Sequence, residues 1–208
     1  MHYLERFGEV QPAHGPVLVT GAAGGLGQLA IALLAARGFD VIASTGRRET
    51  LGDHLRALGA SQVIDRLDAE RKPLGTQRWA GVVDSVGGAT LAAALAQTMY
   101  RGAVASPGVA GGGELQTSVY PFILRGVRLL GVDQTLPYAL DGYPNEPERQ
   151  AEWRHEARRM WELLAESIRP GVLERVAAGT IRLDQVADHA PRIIDGQVAG
   201  RLLVDMRA

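Results

Sequence analysis

Eight residues near the start of the chain, Thr20-Gly21-Ala-Ala-Gly24-Gly25-Leu-Gly27, offer backbone N–H groups that little side-chain bulk would screen from an anion. A pyrophosphate needs that close approach, and the first turn of a helix adds the positive end of its macrodipole. Gly21 serves the tight turn, Gly24 and Gly25 the close approach, and Gly27 the packing of helix on strand. Taken alone, such a run is only a tight strand-to-helix turn. Its place after a buried strand, before a helix and within a series of βα units points to a dinucleotide.

The run Ser44-Thr45-Gly46-Arg47-Arg48 bears on which dinucleotide. An NAD site usually ends its second strand with an acid that binds the ribose hydroxyls. No carboxylate stands here, so nothing repels a 2′-phosphate. A hydroxyl and guanidinium groups are available to bind one. The segment predicts NADPH over NADH; the bland alternative is that Arg47 and Arg48 lie solvated at a helix start.

Other chemistry is scarce. The chain has no cysteine, which excludes disulfides, thiolate zinc sites, iron–sulfur ligation and a cysteine nucleophile. His2, His14, His54, His155 and His189 show no ligand spacing, and His54 and His155 are expected on helix surfaces. Neither a metal site nor a catalytic residue is assigned, and Asp133 is read as a strand-end residue. Of 22 basic residues only Lys72 is lysine, and position 68 is Asp68. The Tyr-x-x-x-Lys pair of short-chain dehydrogenases therefore cannot form, although the glycine run alone would fit them.

These residues need a scaffold, and alternating elements supply it. Short apolar runs at 17–20, 40–44, 62–65, 81–84, 103–105 and 127–132 read as strands. Helical stretches are expected at 25–37, at about 50–58 with Thr50 and Asp53 in capping-box spacing, at 90–99 and at 120–124. Strand–helix alternation implies an α/β fold, a Rossmann-type doubly wound parallel sheet of about six strands. Beyond Asp133 a loop punctuated by Pro137, Gly142, Pro144 and Pro147 leads to a long amphipathic helix. Its stripe of Trp153, Ala157, Met160, Trp161, Leu164 and Ile168 is expected to pack on the sheet domain. Helical pieces at 171–178 and 184–194 and a final strand at 201–205 complete the expected order. The domain reading is a lead-in at 1–15, an NADP-binding Rossmann domain at 16–134 and a helical C-terminal extension ending in a strand at 135–208.

Composition agrees with this frame. The chain has 208 residues, 46% hydrophobic and 22% charged, ample for a packed core. A net charge of −1 argues against a dedicated nucleic-acid binder. No apolar run reaches membrane-spanning length, and the N-terminus lacks a signal-peptide core, so a cytoplasmic protein is expected.

Several segments together resemble the medium-chain dehydrogenase/reductases, in the zinc-free quinone-oxidoreductase group and its acryloyl-CoA reductase branch. They are Val19–Gly27, Ser44–Arg47, Leu58-Gly-Ala60, Trp79–Gly87, Pro121–Asp133 and Gly196–Val204. The glycine loop is common to many families, whereas Pro121–Asp133 is far more particular. The resemblance implies NADPH-dependent reduction of a carbon–carbon double bond conjugated to a carbonyl, with a small acyl-CoA or quinone as substrate. It implies that Ala23, Gly24, Gly25 and Leu26 line the pyrophosphate and that Thr45, Arg47 and Arg48 hold the 2′-phosphate. Val86 and Gly87 would pass the adenosine half, while Gly108, Val109 and Ala110 would flank the nicotinamide. It also implies a homodimer through the strand around Val127–Val132. Members of this family carry an N-terminal barrel domain that forms one wall of the cleft, and no segment here matches it. The alternatives are therefore a reductase completed by another chain, a non-catalytic NADP(H)-binding module, or an enzyme whose C-terminal extension builds a new cleft.

Overall fold

Val17–Val19 (β1) is buried at all three residues because it runs through the middle of a sheet covered on both faces. The computed structural model describes residues 1–68, 72–133 and 147–207. Around β1 lie Val41–Ser44 (β2), Gln62–Ile64 (β3), Trp79–Val83 (β4), Thr98–Ser106 (β5) and Arg128–Gly131 (β6). All pair in parallel, in the order β3-β2-β1-β4-β5-β6, with Val17 opposite both Val41 and Gly81. That is the expected doubly wound sheet. The order reverses between β1 and β4, which opens a crevice at their C-terminal ends.

A short lead-in helix, His2–Arg6 (α1), precedes the sheet, and helices cover both of its faces. Leu4 of α1, Ile31 and Leu34 of Gly25–Ala36 (α2) and Leu55 of Arg48–Ala57 (α3) join one core with Val17, Val19 and Val41. Leu91 and Leu95 of Gly88–Gln97 (α4) join the opposite core with Leu18, Val82 and Val104. Each fully buried Leu or Ile contributes roughly 1.5–3 kcal/mol by leaving water. Gly38, with φ +83°, follows the last turn of α2 as expected of a C-terminal cap.

Three local expectations are corrected. α3 starts at Arg48, so Thr50 lies inside the helix with its hydroxyl donating to Arg47 O, and no capping box forms with Asp53. The region read as helix at 171–178 is a short helix, Val172–Val176 (α7), followed by a strand, Ala177–Arg182 (β7). The expected final strand is present as Arg201–Asp205 (β8), which pairs in parallel with β7. In Pro147–Ser167 (α6), Ala157, Met160 and Leu164 are half-buried and the helix lies against α2. Trp161 of the same stripe is 64% exposed and is not packed. Pro137, Gly142 and Pro144 lie outside the described residues, as does the side chain of Trp153. Tyr120–Arg125 (α5) precedes β6, and Val186–Ile194 (α8) precedes β8. No helix among the described residues is long and apolar enough to cross a membrane.

Candidate cofactor-binding site

The parallel strands bring the loops that follow them to one edge of the sheet, and the glycine loop after β1 lies at the reversal point. Gly21 has φ +59°, a conformation that costs other residues more than glycine, and a Cβ there would strike Ser85 Oγ. A Cβ on Gly27 would lie 2.5 Å from Gly21 O and 2.7 Å from Ala22 Cα, so helix and loop meet only because that atom is missing. Gly24 is the N-cap of α2 and provides no side-chain cap. The N–H groups of Gly25, Leu26 and Gly27 fall in the first turn, where no intrahelical acceptor exists. They form a donor set of the kind a phosphate requires.

Behind the loop, Asp84 at the end of β4 is fully buried and ties two loops together. The Thr20 hydroxyl donates to its Oδ1 at 2.6 Å and Gly87 N–H donates to its Oδ2 at 2.7 Å. Ser85 reinforces the link, its N–H donating to Thr20 Oγ1 and its hydroxyl to Thr20 O. The loop after β5 docks on the same structure, with Gly111 N–H donating to Val86 O at 2.7 Å and Ala110 N–H to Ser85 O at 3.2 Å. A Cβ on Gly108 would lie 2.9 Å from Ser85 O. Val86 therefore sits between Gly21 and Gly111, and the structure brings Gly21, Val86, Gly87, Gly108 and Ala110 into one cleft wall. Val109, in the same loop, is largely exposed.

At the β2 end, Thr45 is buried and its Oγ1 accepts from Arg47 N–H at 3.1 Å. The Arg47 guanidinium donates to Val198 O. Arg48 turns to Asp65, with Nη1 and Oδ2 3.0 Å apart. Thr45 and Arg47 thus sit together, whereas Arg48 is held by an acid at the end of β3. A residue not singled out in the sequence takes the neighbouring place. Arg66 lies along Gly46, where a Cβ would come within 2.7 Å of its Nε. Its only sequence signal is a guanidinium one step past the Asp that ends the expected third strand.

The tail supplies a second unexpected cation. Gly200 bridges to Gly24 in parallel, and its N–H donates to Ala23 O at 3.0 Å. The Arg201 side chain then lies across Gly25, filling the space a Cβ would need. Its place in the Gly196–Val204 segment is the signal that could have marked it. His54, expected on the surface, is half-buried and bonded to Gln28.

The arrangement fits a phosphorylated dinucleotide: a glycine cradle at a helix start, cations at the β2 and β3 ends, and no carboxylate at the end of β2. It does not fit zinc, since the chain has no cysteine and the described residues include no cluster of three or more His, Asp or Glu placed for a metal.

Comparison with known proteins places these features in company. Residues 25–141 match the family described as zinc-binding dehydrogenase. The chain is 44% identical over 202 residues to the acrylyl-CoA reductase AcuI of Ruegeria pomeroyi, covering 95% of this chain and 56% of that protein. The YhdH oxidoreductase of Salmonella enterica, solved in complex with NADP, matches with a TM-score of 0.82 at 40% identity over 96% of this chain and 57% of that one. Bacillus subtilis YhfP, solved with NAD bound, matches with a TM-score of 0.81 at 40% identity over 99% of this chain and 58% of that one. The chain spans 55–58% of the length of the curated relatives it matches.

Proposed function

This chain belongs to the zinc-binding dehydrogenase family of the medium-chain dehydrogenase/reductases, and we propose that it forms the NADPH-holding half of a reductase of conjugated carbon–carbon double bonds. Acyl-CoA esters of the acryloyl or enoyl kind are the substrate class, with quinones as the second candidate. The observation that carries the reading is the acid-free β2 end, where Thr45 and Arg47 are bonded, Arg66 lies along Gly46, and Ser44 O accepts from Ala22 N–H of the glycine loop. Relatives are known with either NADP or NAD, so the choice between them rests on these residues.

In this reading NADPH, when bound, supplies the hydride that adds to the β-carbon, and a proton reaches the α-carbon. The chain's residues bind and orient. The N–H groups of Gly25 and Leu26, beside Ala23 and Gly24, hold the pyrophosphate, with Arg201 adding charge from the tail. Thr45, Arg47 and Arg66 grip the 2′-phosphate, with Arg48 supporting through Asp65. Val86 and Gly87 flank the adenosine half, and Gly108, Val109 and Ala110 bound the nicotinamide side.

The test is a fluorescence titration with NADPH, followed by an assay of its oxidation with acryloyl-CoA, crotonyl-CoA and a quinone. NADPH binding with acyl-CoA turnover supports the whole reading. Binding without turnover leaves a non-catalytic NADP(H)-binding module as the second reading. No binding of either dinucleotide would sink both.

A further inference from the structure

We propose that Gln28 and His54 are a positioning pair that fixes the glycine loop and thereby sets the affinity for the pyrophosphate. The proposal rests on the cofactor reading above and names residues that reading does not use. Gln28 is the one polar side chain in α2, and it is 1% exposed. A buried amide is costly unless its donor and acceptor are both engaged. Here both are. Its Nε2 donates to Ala23 O at 3.0 Å, and its Oε1 stands 2.9 Å from His54 Nε2. Because Oε1 can only accept, His54 Nε2 carries the proton and donates.

The consequence falls on a single peptide group. Ala23 O accepts from both Gln28 Nε2 and Gly200 N–H, and Gly24 N–H donates to Gly21 O at 2.9 Å. Both ends of the Ala23–Gly24 peptide are therefore bonded. It immediately precedes the N–H groups of Gly25, Leu26 and Gly27, and rotating it would re-aim them. His54 completes the device from α3. Without its donor Gln28 Oε1 is left unpaired in the interior, and only the bond from Nε2 to Ala23 O holds the amide one way round. The line from His54 through Gln28 to Ala23 thus transmits the position of α3 to the mouth of the cradle.

The test compares the full chain with Gln28→Met, His54→Phe and His54→Gln, the last keeping an amide donor. NADPH Kd is measured by fluorescence titration and adenosine 2′-monophosphate, which lacks the pyrophosphate, by competition. Melting temperature is recorded beside both. Losing one buried hydrogen bond predicts an NADPH Kd about tenfold higher for Gln28→Met, about threefold higher for His54→Phe, and near wild type for His54→Gln. The affinity for adenosine 2′-monophosphate stays unchanged in all three. If Gln28→Met does not fold, the half-buried His54 position carries the test. Unchanged NADPH affinity in folded variants overturns the proposal, as does equal weakening of both ligands, which would mean general distortion. Absence of NADPH binding by the wild-type chain would overturn the cofactor reading, and the pair with it.

Discussion

The cations near Gly46 make the sharpest residue-scale prediction. A charge-assisted bond between guanidinium and phosphate is worth about 1.5–3 kcal/mol, or roughly ten- to a hundredfold in affinity. Arg66→Ala and Arg47→Ala are each expected to raise the Kd for NADPH by that order while leaving NADH within about twofold. Arg48→Ala should do less, because Arg48 is held by Asp65 at 3.0 Å in an exposed pair of the kind worth little. Paired titrations with NADPH and NADH check this; equal loss for both dinucleotides would refute a 2′-phosphate role. At this scale the sequence speaks clearly wherever the chemistry is local. Gly21, Gly24, Gly25 and Gly27 lie within one turn of chain, so their spacing encodes their joint geometry, and the close contact beneath Gly27 bears this out. Arg66, Arg201 and Gln28 are silent by the same logic. Their roles depend on partners brought from β2, α2 and α3, and an arginine or glutamine in isolation reads as a solvated side chain. His54 misled for that reason, since a histidine on an amphipathic helix gives no sign of the buried amide waiting across the groove.

Elements show a related division. Strands β1 to β6 were legible because each is an apolar run of the length a covered parallel sheet requires, and the glycine-punctuated helices between them fixed the fold class. β7 was not. Its residues Ala177–Arg182 are largely exposed, so no alternation marks a buried face, and Gly179 with Thr180 weakens any periodicity. What makes it a strand is β8, which arrives from the end of the chain. This pairing matters at the glycine loop, because β8 leaves Gly200 bridged to Gly24 and Arg201 across Gly25. Gly200 has φ +78°, and a Cβ there would collide with Val176 O, so the bridge tolerates only glycine. Gly200→Val should therefore lift the tail from the cradle. The expected outcome is NADPH affinity about tenfold lower, matching loss of the Ala23 hydrogen bond and the Arg201 charge, and faster proteolysis after residue 195. The sheet core should survive, because β1 to β6 make no use of the tail. Limited proteolysis with and without NADPH checks it, and a variant whose tail stays protected and whose affinity is unchanged would remove the tail from the site.

At the scale of the whole molecule, the edge left by β6 is where we propose that the chain associates. Among the described residues β6 pairs with β5 alone, at the end of the six-stranded order. Leu129 on β6 is 37% exposed, and Val119, Tyr120, Ile123 and Leu124 beside it in and before α5 are all exposed. An open parallel-sheet edge flanked by apolar side chains invites pairing with another strand. A second copy related by a two-fold axis can meet this demand with the same strand, closing the interface on itself rather than propagating a filament. The proposal is a homodimer in which the two β6 strands pair antiparallel and the α5 side chains bury one another. Arg128 does not oppose this arrangement, since its guanidinium is engaged by Phe7 O and Glu9 on the chain's own lead-in. Burying two exposed Leu or Ile side chains per copy contributes roughly 1.5–3 kcal/mol each, enough to move association by several orders of magnitude. Sedimentation equilibrium at micromolar concentration should accordingly return twice the chain mass for the wild type. The double variant Leu129→Lys with Ile123→Lys should return the single mass with an unchanged melting curve per chain, because neither side chain belongs to either core cluster. NADPH affinity should also persist in that variant, since the glycine cradle follows β1, which is separated from the edge strand β6 by β4 and β5. A wild-type chain that sediments as a monomer would show that this edge is tolerated uncovered, and the apolar residues around α5 would then need a different partner.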